Sequence, residues 1–150
     1  AAFIGDLGDY ETVRELFAPI RRLNLLVNNA GISHIGLLSD MTLEEWNRVI
    51  DTNLNSCFYL SHELIPQMVH RKEGKLLFVS SVWGNVGASM EVAYSASKGG
   101  INSFTRALAK ELETWFYFYK RVYRSISEES ELRYIQELVC WYGDYLRQIK

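Results

Sequence analysis

The chain has 150 residues, 48% hydrophobic and 23% charged, enough apolar material for one domain with a real core and too much for a disordered segment. A formal net charge of −2 leaves no polyanion footprint and argues against nucleic-acid binding. No apolar stretch is long enough to span a bilayer, and the opening Ala1-Ala2-Phe3-Ile4-Gly5-Asp6 lacks the basic region and length of a secretion signal.

Up to residue 113 short apolar runs alternate with helical patterns. Residues 1–5 read as a strand. Residues 10–20 form a helix pattern with Val13, Leu16, Phe17 and Ile20 on one face. Residues 23–28 are a second strand, apolar on both faces apart from Asn24, and residues 75–81 a third, built on Leu76, Leu77, Phe78 and Val79. Strands apolar on both faces and separated by helices predict a parallel sheet covered on each side.

The helix between the second and third strands has a well-marked start. Thr42 is a good N-cap, Glu45 completes a capping box, and Met41 and Trp46 are placed for a hydrophobic staple. Trp46, Val49, Ile50, Leu54, Cys57 and Phe58 follow at helical spacing. Pro66 is expected to kink this helix or end its regular part, because it cannot donate to the carbonyl of His62. Residues 71–74 turn into the third strand. The last helix of this part runs over residues 92–113, with Ile101, Phe104, Leu108 and Leu112 on one face.

At Thr114 the composition changes to the aromatic run Trp115-Phe116-Tyr117-Phe118-Tyr119. Ser125 and Glu128 offer another capping box, and Leu132, Ile135, Val139, Tyr142, Leu146 and Ile149 recur at spacings of 3, 4, 3, 4 and 3. Residues 114–150 therefore read as a helical, aromatic-rich tail beside a domain of residues 1–113. Cys57 and Cys140 stand far apart, with no Cys-x-x-Cys. No metal site is expected, and reduced thiols point to a cytoplasmic setting.

The chemistry concentrates in four places. Tyr94 and Lys98 stand one helical turn apart in Tyr94-Ser95-Ala96-Ser97-Lys98. A phenol with a pKa near ~10 is a poor proton carrier at neutral pH, and an adjacent cation favours its ionised form. Ser81 closes the third strand, where parallel-sheet proteins place their ligand sites, and Ser80 competes for the same role. Asn28-Asn29-Ala30-Gly31 follows the second strand, where small residues let a flat ligand approach the backbone. Asn53 lies inside a helix. Each alone has a plain alternative: a surface tyrosine beside a surface lysine, a strand-ending serine, a simple turn.

In this order the residues resemble the short-chain dehydrogenase/reductase family over about residues 1–113, and Ser81-Val82-Trp83-Gly84-Asn85-Val86-Gly87 is similar to its bacterial 3-oxoacyl-carrier-protein reductase branch. The resemblance implies a Rossmann-like α/β fold and hydride transfer between NAD or NADP and a small carbonyl or alcohol substrate. It implies Tyr94 as general acid or base, Lys98 as the cation that stabilises its phenolate and bonds the nicotinamide ribose, and Ser81 as the group orienting the carbonyl. Asn53 would hold a water relaying protons to Lys98, at a local helix kink. Asn28, Ala30 and Gly31 would line the cofactor groove, with Asp6 at its adenine end. His34 reads as a loop histidine, and Trp83, Met90 and Glu91 lie where they could shape the substrate pocket.

The chain departs from the family in lacking the glycine-rich strand–turn–helix that cradles the pyrophosphate, the strand that chooses between NAD and NADP, and a Pro-Gly turn after the Tyr/Lys helix, its prolines being Pro19 and Pro66. The expected fold is thus a truncated one of about three parallel strands with flanking helices and a helical tail. Residues 1–5 are expected to slide inward and pair with residues 23–28. Homo-oligomerisation through long apolar helices is implied. The rival reading is an incompetent fragment acting at most as an interaction module.

Overall fold

The computed structural model describes residues 2–112 and, by its backbone, the strand 118–124. The order is α1 (Tyr10–Phe17), β1 (Leu25–Asn28), α2 (Leu43–Ile50), a π-helical turn (Asp51–Asn55), α3 (Ser56–Arg71), β2 (Lys75–Ser81), α4 (Trp83–Val86), α5 (Val92–Leu112) and β3 (Phe118–Arg124). The strands form one parallel sheet in the order β1-β2-β3, with Leu25 opposite Lys75 and Lys75 opposite Phe118.

Three parallel strands are present, but not the three expected. Residues 2–5 form no strand, and Phe3 and Ile4 are exposed. The chain instead enters through α1, whose position is set by packing. Val13 is fully buried in the core, and the Tyr10 hydroxyl donates to Glu63 of α3 at 2.7 Å. The third strand is β3, in a segment read above as helical. Its Phe118, Tyr119, Val122 and Tyr123 are strong strand formers, and the free edge of β2 gives them a template. The second capping box and the heptad seam lie outside the described residues.

The core also corrects the expectation of a sheet covered on both sides. Val13 of α1, Leu60, Leu64 and Met68 of α3, and Ile101 and Leu112 of α5 all gather with Leu26, Leu76 and Phe78. Alternate residues along a strand face opposite sides. On the other face Leu25 and Val27 remain 51% and 49% exposed among the described residues.

Local signals explain the helices. Asp9 caps α1, its carboxylate accepting from the Thr12 N–H at 2.9 Å. The helix stops at Phe17, short of residue 20, because Pro19 offers no N–H to extend the ladder. At α2 the capping box forms, with the Glu45 N–H donating to the Thr42 hydroxyl at 3.2 Å and the Thr42 N–H to the Glu45 carboxylate at 2.8 Å. Thr42→Ala is therefore expected to lower stability by about 1 kcal/mol, read as a shift in denaturant midpoint at unchanged slope.

Pro66 does not end α3, which runs on to Arg71 and a left-handed cap at Lys72. Pro66 and His62 are both exposed, so water can satisfy the carbonyl that proline leaves unpaired. Leu60 and Leu64 before Pro66 and Met68 after it keep the helix on the core.

Candidate functional site

The loop after β1 and the first turns of α5 meet the π-helical turn, which brings Asn53, Tyr94 and Lys98 together, while Ser81 stands at the end of β2. A π-helical turn inserts one residue into the helical ladder and commonly marks functional sites. It turns the fully buried Asn53 toward the loop after β1. The Asn53 carboxamide oxygen accepts from the Ile32 N–H at 2.8 Å, and its NH2 donates to the Ile32 carbonyl and to the Ser97 hydroxyl, both at 2.9 Å. Ser97 in turn donates to the Tyr94 carbonyl at 2.7 Å. One side chain thus ties the helix that carries it to the β1 loop and to the first turn of α5.

Lys98 is only 4% exposed. Its ammonium donates to the Val79 carbonyl at 2.9 Å and lies 5.5 Å from the centroid of the half-buried Tyr94 ring. A buried ammonium needs such partners to remain charged. A Cβ placed on Gly31 would lie 3.3 Å from the Lys98 nitrogen and 3.4 Å from the Asn53 carboxamide oxygen. Glycine therefore keeps a floor without a side chain beside the cation, a cradle for a flat group.

Ser81 ends β2, two residues beyond Val79 and so on the same side of the strand. Its buried hydroxyl accepts from the Trp83 N–H at 3.2 Å, leaving its own proton to donate. Ser80 points the other way and donates to the Lys98 carbonyl at 3.2 Å, which ties it to the frame of α5. Burial pushes the Cys57 thiol up to about 11, against the opposing Lys98 charge, so it stays neutral and donates to the Asn53 carbonyl at 3.2 Å.

The expected groove residues are less uniform. Asn28 is buried, its NH2 reaching the Leu77 carbonyl at 3.5 Å and its oxygen without a partner among the described residues. Ala30 and Gly31 are exposed at the β1 end. Asp6 is also exposed and accepts from the Gly8 N–H at 2.8 Å, in a turn that packs against Asp51 at the start of the π-helical turn. His34 faces Glu45 at 3.7 Å, outside the tetrad.

Gly84 shows how tightly this region is built. A Cβ there would stand 2.6 Å from the Lys98 carbonyl carbon and 2.8 Å from the Gly99 nitrogen, so α4 can rest on α5 only through a glycine. Gly84→Ala is expected to cost about 1–3 kcal/mol in chemical denaturation, since backbone cannot yield as a side chain does.

Some contributors were not visible beforehand. Ser97 stands three residues after Tyr94, a spacing that places both on one helical face, and that was its only signal. The backbones of Ile32 and Val79 carry no side-chain signature at all.

Residues 1–116 match the short chain dehydrogenase family. Acetoacetyl-CoA reductase of an Acinetobacter species is 40% identical over 110 residues, 71% of this chain and 44% of that protein. The 3-oxoacyl-acyl-carrier-protein reductase of Escherichia coli is 37% identical over 110 residues, 73% of this chain and 45% of that protein. The chain thus spans about half the length of the curated relatives it matches. Among solved structures, a metagenomic short-chain oxidoreductase in complex with NADP superimposes with a TM-score of 0.77 at 29% identity, covering 82% of this chain and 57% of the other. A gluconate 5-dehydrogenase-like protein of Beutenbergia cavernae with bound NADP gives 0.79 at 29% identity, covering 83% and 51%.

Proposed function

The chain belongs to the short-chain dehydrogenase family, and from that premise we propose that it serves hydride transfer between NAD or NADP and a small carbonyl or alcohol substrate. The observation that carries this reading is the buried Lys98 ammonium beside the Tyr94 ring and the bare floor of Gly31. A cation there stabilises a phenolate and can also hold a ribose hydroxyl.

In reduction Tyr94 gives its phenolic proton to the carbonyl oxygen as the carbon gains the hydride; in oxidation it takes the alcohol proton. Ser81 donates a hydrogen bond from its hydroxyl to the same oxygen and orients it. Lys98 steadies the charge that forms on Tyr94. The Asn53 carboxamide is already spent on Ile32 and Ser97, so a relay water would rest on its main-chain carbonyl, which has a second lone pair besides the one Cys57 uses.

We assign Tyr94, Lys98 and Gly31 to the ribose side of the nicotinamide, Ala30 and the Asn28 oxygen, without a partner among the described residues, to the groove, and Asp6 to the adenine end. When bound, the nicotinamide supplies or accepts the hydride, while the protein contributes position, a proton and a polar cradle.

Among the described residues no helix is long and apolar enough to cross a membrane. The same reading places the protein in the cytoplasm as a homo-oligomer. The exposed Phe58 and His62 on α3, their rings 5.6 Å apart, support association.

Fluorescence titration of this chain with NADH and NADPH tests the proposal. Saturable binding of either is expected. Absence of binding for both at millimolar concentration would overturn it for this chain.

A further inference from the structure

The loop after β1 and the loop leading into α5 are stitched together beside the tetrad. The Gly36 N–H donates to the Met90 carbonyl at 2.9 Å, and the Ser33 hydroxyl donates to the Glu91 carboxylate. Between these two bonds lies a residue of unfavourable shape. Met90 has φ = 63°, a left-handed conformation that non-glycine residues rarely adopt and that persists only where the surroundings impose it.

The second loop is held from its other side by the helix it introduces. The Ala88 N–H donates to the Ser95 hydroxyl at 3.0 Å, and the Ser95 N–H donates to the Glu91 carbonyl at 2.8 Å. Tyr94 lies within this same first turn. Below it, the Asn53–Ser97 link fixes the Tyr94 carbonyl. Above it, among the described residues, the two loops are joined by the hydrogen bonds at Ser33 and Gly36.

We propose that Ser33 and Glu91 are positioning residues: with the Gly36–Met90 bond they form a clasp that holds Met90 left-handed and locks the first turn of α5, and with it Tyr94, against the loop that carries Gly31. The clasp sets the distance between the proton-transferring phenol and the floor of the groove. The competing role for Glu91 is purely electrostatic, a negative charge favoured at the start of a helix. The two roles differ in what they ask of Ser33 and of a neutral acceptor at position 91.

The proposal rests on Tyr94 being the proton-transferring group for its consequence, but its test does not use turnover. The full chain is labelled with carbon-13 at the tyrosine ring, and the Tyr94 signal is identified by its loss in Tyr94→Phe. Ser33→Ala and Glu91→Ala are expected to shift the Tyr94 signal and to speed Gly36 amide exchange by about tenfold, while Phe78 in β2 exchanges as before. Glu91→Gln, which still accepts from Ser33 but carries no charge, is expected to restore both readouts toward wild type. An unchanged Tyr94 signal and Gly36 exchange in Ser33→Ala would overturn the clasp, and so would a Glu91→Gln variant as perturbed as Glu91→Ala. Ser33 is exposed, so its variant keeps the test decisive if Glu91→Ala does not fold. Loss of cofactor binding with these responses intact would count against the proposed function alone.

Discussion

Tyr94→Phe is expected to lower kcat by about two to four orders of magnitude, the usual worth of a positioned general acid or base, which is about 3–5 kcal/mol of barrier. Cofactor affinity should stay within about threefold, because only the hydroxyl is lost. Phenylalanine keeps the ring whose centroid lies 5.5 Å from the Lys98 nitrogen, and the ammonium keeps its bond to the Val79 carbonyl. The face of an aromatic ring attracts a cation with or without the hydroxyl. Lys98→Met provides the contrast. It removes the charge, leaves the Val79 carbonyl without this donor, and is expected to weaken both cofactor binding and turnover. Parallel measurement of nicotinamide binding and steady-state rates separates the two variants. Equal loss of binding in both would mean that Tyr94 acts through the cofactor site rather than on the substrate oxygen.

The contrast between these two residues also shows what a sequence can display. Thr42 and Glu45 announced their capping box, and Tyr94 and Lys98 their shared face, because both relations are local and fixed by helical geometry. Asn53 was visible as a residue but not as a clamp, since Ile32 stands 21 residues away and takes part through its backbone. β3 was hidden for a different reason. An aromatic run followed by Val122 and Tyr123 suits a strand as well as a helix, and the deciding term was the free edge of β2, a tertiary fact. Residues 2–5 erred in the opposite direction. Their apolar composition suits a strand, but the chain before α1 is placed by Val13 and Tyr10, which dock that helix on α3. The pattern at β1 was read as apolar on two covered faces, yet Leu25 and Val27 are half exposed, because α1, α3 and α5 all pack on the opposite face. Periodicity reports which residues tolerate burial, and topology decides which of them receive it.

Replacing Asn53 should have the largest effect on the fold of the site. Its carboxamide satisfies the Ile32 N–H, the Ile32 carbonyl and the Ser97 hydroxyl, in a position with 0% exposure. Asn53→Ala leaves these groups without their partner, and at about 1–3 kcal/mol for each buried group left unsatisfied the loss should reach several kcal/mol unless water enters. Asn53→Asp is the sharper probe, because it keeps the shape and changes the hydrogen-bonding sign. Its carboxylate could still accept from the Ile32 N–H, but it would face the Ile32 carbonyl with a negative charge where asparagine presents a donor. Burial and that carbonyl disfavour the ionised form while the Lys98 ammonium favours it; with complete burial as the larger effect, the folded-state pKa of the new carboxyl is expected to lie above its unfolded value. The penalty is therefore small in acid, where the group is protonated and can donate one bond. It grows as pH rises through the unfolded carboxylate range and is complete above the raised folded pKa. At neutral pH the variant is expected to lose about 1–3 kcal/mol, because the nearby Lys98 ammonium offsets part of the cost of the buried charge. Denaturant unfolding of wild type and Asn53→Asp across pH measures the difference directly. A gap that stays constant with pH would show that the carboxyl reaches water, and that the clamp between the π-helical turn and the loop after β1 opens readily.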